Sequence, residues 1–158
     1  MAKLTIYKDG SPILRKKATS VNKLDKAVFK FANDMAETME KENGIGLAAP
    51  QVGKSWRLIC VKAKQGPLVF INPLIIKKSF RKNAAEEGCL SVPGIFGRVK
   101  RHNSLILSAQ GLSNEIIKLK AKGLMARVIQ HEIDHLDGIL FTDKVEKGEK
   151  SDKDQRRI

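Results

Sequence analysis

His131-Glu132-Ile133-Asp134-His135 carries the residue types of metal-assisted hydrolysis at the spacing such chemistry needs. On a helix, a four-residue step stacks two side chains one turn apart on one face, so both imidazoles can offer a nitrogen to a single cation. Glu132 follows His131 by about 100° of helix rotation. That direction suits a carboxylate that takes a proton from an activated water better than one that binds the metal. The surrounding residues predict a helix over 124–137, closed by Gly138. Leu124, Val128, His131 and His135 form one stripe, and Met125, Ile129, Glu132 and Leu136 form the next. Arg127, Gln130, Asp134 and Asp137 gather on the opposite face. Two histidines and a carboxylate therefore sit on the apolar side of a helix that already has a polar side. An ionised Glu in that setting needs a counter-charge, a metal or a proton. Two surface histidines beside a solvated Glu would leave the apolar stripes unexplained.

A catalytic centre of this kind has three protein ligands and an open position. A further histidine ten residues after His131 would extend the motif, but Phe141 stands there. His102 lies in the basic stretch Lys100-Arg101-His102-Asn103, which reads as a surface loop. Cys60, within Leu58-Ile59-Cys60-Val61, reads as a buried strand residue. Cys89 is the better candidate, because the segment from Glu86 to Gly94 is turn-rich and has neither helical nor strand periodicity.

The elements that must position these residues fit one domain. The chain has 158 residues, of which 42% are hydrophobic and 30% charged, and no apolar run long enough to span a bilayer. Two cysteines make no disulfide framework and the N-terminus lacks an apolar signal segment, so a cytoplasmic protein with reduced thiols is expected. Leu24, Val28, Phe31, Met35 and Met39 predict a first helix over 22–42, capped by Asn22. Residues 44–53 read as a shaped loop. Strands are predicted at 57–61, 68–71, 74–77, 105–108 and 116–119, the last two as a hairpin turning at Gly111 and Asn114. The domain is placed at 1–145 and a polar, frayed tail at 146–158. Of the formal net charge of +13, residues 1–30 supply +6 and residues 77–101 supply +5, while residues 102–142 balance to zero. Such a surface attracts polyanions, but with 5% aromatic residues it offers no stacking platform, so sequence-specific nucleic-acid binding is not expected.

Three segments together resemble the signature motifs of the peptide deformylase family, in that family's order and spacing. They are Gly44-Ile45-Gly46-Leu47-Ala48-Ala49-Pro50-Gln51, Glu87-Gly88-Cys89-Leu90-Ser91 and Gln130-His131-Glu132-Ile133-Asp134-His135. Pro12-Ile13-Leu14-Arg15, with Ala18 and Val21, is similar to the family's N-terminal segment, so the resemblance covers residues 4–142. It implies an α+β fold with mixed or antiparallel strands packed around a central helix that carries the His-Glu-x-x-His motif. It implies one divalent metal per chain, held by Cys89, His131 and His135 with water as fourth ligand. Fe2+ is the expected native ion, and Zn2+, Ni2+ or Co2+ can substitute. The implied reaction is hydrolysis of the formyl group from N-formylmethionyl nascent peptides, releasing formate. Glu132 would take a proton from the attacking water and return it to the leaving amine. The side-chain amide of Gln51 and the backbone N–H of Leu90 would steady the developing oxyanion. Gly46 and Gly88 would let the substrate lie as an added strand, and Ile45, Leu124 and Val128, with the ring of His131, would line a pocket for methionine.

Two departures stand out. Phe96 occupies the place where some family members carry a substrate-binding Arg, and the sequence closes on Gln155-Arg156-Arg157-Ile158 where the family often continues as a longer basic helix. The expected protein is a cytoplasmic monomer with at most weak electrostatic association with the ribosome, and no membrane partner. The competing readings are a His-Glu-x-x-His metallo-endopeptidase, which would need a different third ligand, and an RNA- or ribosome-binding module with a structural metal, which would need a fourth.

Overall fold

The computed structural model describes residues 3–146. Asp25 accepts a hydrogen bond from the N–H of Val28 at 3.1 Å and starts helix α1 (Lys26–Lys41). The helix buries Val28, Ala32, Met35 and Met39 along one stripe. It begins later than residue 22 because Asn72 pins Val21 in an extended conformation, accepting its N–H at 2.8 Å and donating to its carbonyl at 2.9 Å.

The strands are β1 (Gly46–Ala48), β2 (Leu58–Ala63), β3 (Gly66–Lys78), β4 (Lys82–Cys89), β5 (Val92–His102), β6 (Ser104–Gln110) and β7 (Ile116–Lys122), followed by helix α2 (Gly123–Leu136). One sheet has the order β1-β2-β3-β6-β7, and β4 and β5 pair with each other in a second; every pairing is antiparallel. In β2, Leu58 and Cys60 face the α1 core with Met35 and Met39, whereas Ile59 and Val61 face the α2 core with Val128, Ile129 and Leu136. Burial on both faces explains why 58–61 reads as an unbroken apolar run. Helix α1 covers β1, β2 and β3, while α2 packs against both sheets. The expected α+β architecture around the motif helix is the one observed.

Three local expectations need correction. The loop at 44–53 contains strand β1 and a 3-10 turn (Ala49–Val52) that ends on Gly53 at φ 91°. The separate strands 68–71 and 74–77 are one strand, β3, whose register shifts around Asn72-Pro73, where proline can donate no ladder bond. The segment from Glu86 to Gly94 is the tight end of a long hairpin, with Glu87 opposite Gly97 and Cys89 opposite Val92. Its first strand is rich in Lys, Asn, Ala and Glu, residues depleted in strands, so no propensity announces it. The predicted tail lies outside the described residues except Glu146, whose N–H donates to the carbonyl of Arg98 at 3.0 Å.

Candidate metal centre

Gly123, at φ 62°, turns the chain out of β7 into α2, and its N–H donates to the Asn103 carbonyl at 3.0 Å. At the other end Gly138 takes φ 75°, and a side chain there would strike the backbone of Arg15. Between these ends the helix aims His131, Glu132 and His135 into the interior, all three buried. The imidazole centroids lie 5.0 Å apart. Phe141, where a further histidine would extend the motif, stacks on the His131 ring at 5.9 Å.

The hairpin brings the third donor. Cys89 ends β4, and its Sγ lies 3.3 Å from Nε2 of His135. Ligand atoms of Cys89, His131 and His135 all fall within 4.8 Å of one another. Nδ1 of His131 donates to Oε1 of Glu87 at 2.9 Å, which leaves Nε2 as the lone-pair nitrogen, buried and without a hydrogen-bond partner. Burial, with the Glu132 carboxylate close by, pushes the Cys89 thiol up from its ordinary value, so a thiolate forms there only against a cation. Burial pushes His135 down, which keeps it as the neutral imidazole that ligates. A thiol and two imidazoles, with His131 Nε2 and His135 Nδ1 both lacking a hydrogen-bond partner among the described residues, fit a borderline divalent ion such as Fe2+ or Zn2+.

Glu132 is completely buried, and neither carboxylate oxygen has a hydrogen-bond partner among the described residues. Burial and the charge of Glu87 push its pKa well up. The backbone of Gly46 lies against it: a Cβ on residue 46 would strike Oε1 of Glu132 and come within 2.7 Å of Val128. Gln51 is also fully buried. Its Oε1 accepts the N–H of Ala48 at 2.9 Å, which turns Nε2 toward Oγ of Ser91 at 3.1 Å and Sγ of Cys89 at 3.5 Å. Leu90 follows Cys89 at the hairpin end, buried against Gly44. Gly88 touches the ring of Phe96, so Phe96 is a packing residue rather than a surface contact for substrate.

Ile45, Leu124 and Val128 share the wall of a cavity of about 580 Å³, completed by Lys62, Ala63, Lys64 and Met125 and not by the ring of His131. Leu124 is 55% exposed, so it is no ordinary core residue. His102 stays away from the centre, its Nδ1 bonded to the Ser79 carbonyl at 2.6 Å. Cys60 is buried in β2 against α1.

The polar face of α2 holds what the sequence hides. Arg127 and Gln130 are not solvated; the hairpin covers them. Glu87 receives Arg127 at 2.6 Å and Arg101 at 2.9 and 3.0 Å, besides His131. Arg101 also pairs with Asp134, which Lys144 meets at 3.0 Å. Burial alone would raise the pKa of Glu87, but hydrogen bonds from His131 and Arg101, with the charge of Arg101, hold it well below the carboxylate range. In the sequence only Glu87, two residues before Cys89, hints at this support; the burial of Arg101 and Arg127 is set by the fold.

A three-donor site on a His-Glu-x-x-His helix, with a buried carboxylate one residue from a ligand, is the equipment of a mononuclear metal-dependent hydrolase. Residues 3–151 match the family described as Polypeptide deformylase, and the chain belongs to that family. It is 52% identical over 139 residues to the peptide deformylase of Dictyoglomus thermophilum, covering 88% of this chain and 90% of that one. It is 44% identical to that of Desulfitobacterium hafniense, covering 93% and 97%. The crystal structure of peptide deformylase from Thermotoga maritima superposes with a TM-score of 0.90 at 40% identity, covering 92% of this chain and 99% of that one. That from Synechococcus elongatus, solved in complex with actinonin, gives a TM-score of 0.89 at 39% identity, covering 94% and 85%.

Proposed function

We propose that this chain removes the formyl group from N-formylmethionyl nascent peptides by metal-dependent hydrolysis and releases formate. The observation that carries this reading is Glu132: a fully buried carboxylate without a hydrogen bond, next to His131 and against the backbone of Gly46. Cys89, His131 and His135 hold the metal, with Fe2+ as the native ion and Zn2+, Ni2+ or Co2+ able to replace it. The bound ion supplies Lewis acidity and a water acidic enough to react at neutral pH.

The chain's own residues do the rest. Glu132 receives the proton of the attacking water and passes it to the departing amine nitrogen; its raised pKa suits both halves of that transfer. The amide of Gln51, held by Ala48, and the N–H of Leu90 donate to the oxygen that gains charge. The peptide runs along β1, the edge strand of the five-stranded sheet, with Gly88 on the opposite side. Its methionine enters the cavity bounded by Ile45, Leu124 and Val128. On this reading the protein is a cytoplasmic monomer that meets formylated chains at the ribosome, toward which its net charge of +13 draws it weakly. Among the described residues, no helix is long and apolar enough to cross a membrane.

Anaerobically purified protein should release formate from formyl-Met-Ala-Ser and leave acetyl-Met-Ala-Ser intact. Cleavage of internal peptide bonds without formate release would replace this reading with the endopeptidase one.

A further inference from the structure

Counted along the chain, residues 102–142 carry no net charge, but the fold polarises them. Lys118, Lys120 and Lys122 alternate in β7 with the inward-facing Ile117, Leu119 and Ala121, so three ammonium groups leave one face of the strand. Lys120 lies opposite Ile106 on β6, and Ile106 lies opposite Lys77 on β3, which extends the basic row across the sheet. This is the face that α1 covers over β1, β2 and β3 and leaves open over β6 and β7. No Asp or Glu occurs in β3, β6 or β7. Among the described residues, Lys77, Lys78, Lys118, Lys120 and Lys122 make no ion pair.

The row is concave. A groove of about 460 Å³ runs between the strands, and Lys77, Lys78, Ser104, Lys120 and Lys122 are on its wall. Ser79 lines the same groove, and the next residue, Phe80, is 100% exposed. A fully exposed phenylalanine, one residue beyond the groove wall, gives this basic surface an aromatic face that composition alone does not reveal. Same-face residues of a strand are about 6.7 Å apart, which is close to the step between neighbouring phosphates of a single nucleic-acid strand.

We propose that this groove binds single-stranded RNA without reading its sequence. The lysines contact successive phosphates, and Phe80 stacks on one unpaired base. The unbalanced charge and the groove shape favour a threaded polyanion over a flat anionic membrane. The exposed apolar residues Leu74 and Ile116 lie off the groove wall, Leu74 in the row of Lys118 and Ile116 at the far end of β7, and only half-exposed Ile76 adjoins the wall at Lys77. RNA is also the polyanion that accompanies a nascent chain, and in that respect alone the inference leans on the proposed function.

The test uses the full chain with a short fluorescent oligouridine, read by anisotropy across a salt series. Heparin, a polyanion without bases, and phosphatidylglycerol vesicles serve as comparison probes. Oligouridine should bind at low salt. Lys118→Gln, Lys120→Gln and Lys122→Gln combined should weaken binding roughly tenfold and reduce the log–log salt slope by about 2, since each phosphate contact on a single strand contributes about 0.7. Phe80→Ala should weaken oligouridine binding about fivefold or more and leave heparin binding unchanged, because only the former can stack. Both variants should deformylate a short peptide at the wild-type rate, which verifies their fold. Unchanged oligouridine affinity in the lysine variant, equal loss of heparin and oligouridine in Phe80→Ala, or binding to vesicles but not to oligouridine would each overturn the proposal. Loss of the proposal in a protein that still releases formate leaves the deformylase reading standing.

Discussion

Arg127 on α2 donates to the carboxylate of Glu87 on β4 at 2.6 Å, and both side chains are buried. The same guanidinium bonds the Val99 carbonyl at 2.8 Å and Asn83 at 2.8 and 3.0 Å, so one side chain fixes both strands of the hairpin to the helix. With Arg101 on its other side, Glu87 has its lone pairs occupied and can hold the ring of His131 in one tautomer.

Removing one partner from a buried ion pair typically costs about 3–5 kcal/mol. Glu87 keeps Arg101, so Arg127→Ala should destabilise the protein toward the lower end of that range. Urea denaturation checks this, and a loss below about 1 kcal/mol would mean that the pair behaves like a surface one.

The lowered pKa of Glu87 gives a pH dependence with a definite sign. Its folded-state pKa lies below the ordinary value of 4.5, so the unfolded chain takes up the proton first as pH falls. The stabilisation is complete above that ordinary value and is lost progressively below it. Melting temperature of the chelated protein should drop as the solution is acidified past this point, and Glu87→Gln should show a shallower drop. Identical acid slopes for the two proteins would exclude Glu87 as the source.

Cys89→Ala should lose most bound metal, whereas Cys60→Ala and His102→Ala should retain about one equivalent. Elemental analysis after gel filtration reads the difference directly. Full retention in Cys89→Ala would remove it from the ligand set.

Glu132→Gln keeps the size and polarity of the side chain. It should hold metal and lower formate release by about 10²–10⁴-fold. Gly46→Ala should also keep metal but lose activity, because its methyl group must displace the Glu132 carboxylate or Val128. Near-normal turnover in a metal-loaded Glu132→Gln protein would assign the proton transfer elsewhere.

The convergence of Cys89 with His131 and His135 is legible in the chain because each lies where its type is out of place: imidazoles on an apolar stripe, a thiol among turn residues. Part of the main sheet is legible for the same kind of reason, since buried Leu107 and Ala109 alternate with Ser108 and Gln110. What escapes is decided by contacts remote in sequence. The strand character of 82–89 comes from pairing with β5, and the late start of α1 from Asn72 holding Val21. Arg127 and Gln130 look solvent-facing until that hairpin is laid over them, and with them the support of His131 stays hidden.

The hairpin also has a consequence for the order of assembly. It leaves the main sheet after Lys78 and returns at Ser104, where the Ser79 N–H donates to the Ser104 carbonyl at 2.9 Å, so β3 and β6 can zip together with everything between them still undocked. Its attachment depends on buried charges and on whatever joins Cys89 to two histidines more than forty residues further along. A cation at that junction acts as a rivet between two separately closing units. Chelation should therefore loosen amide protection first along β4 and β5, while the five-stranded sheet stays closed.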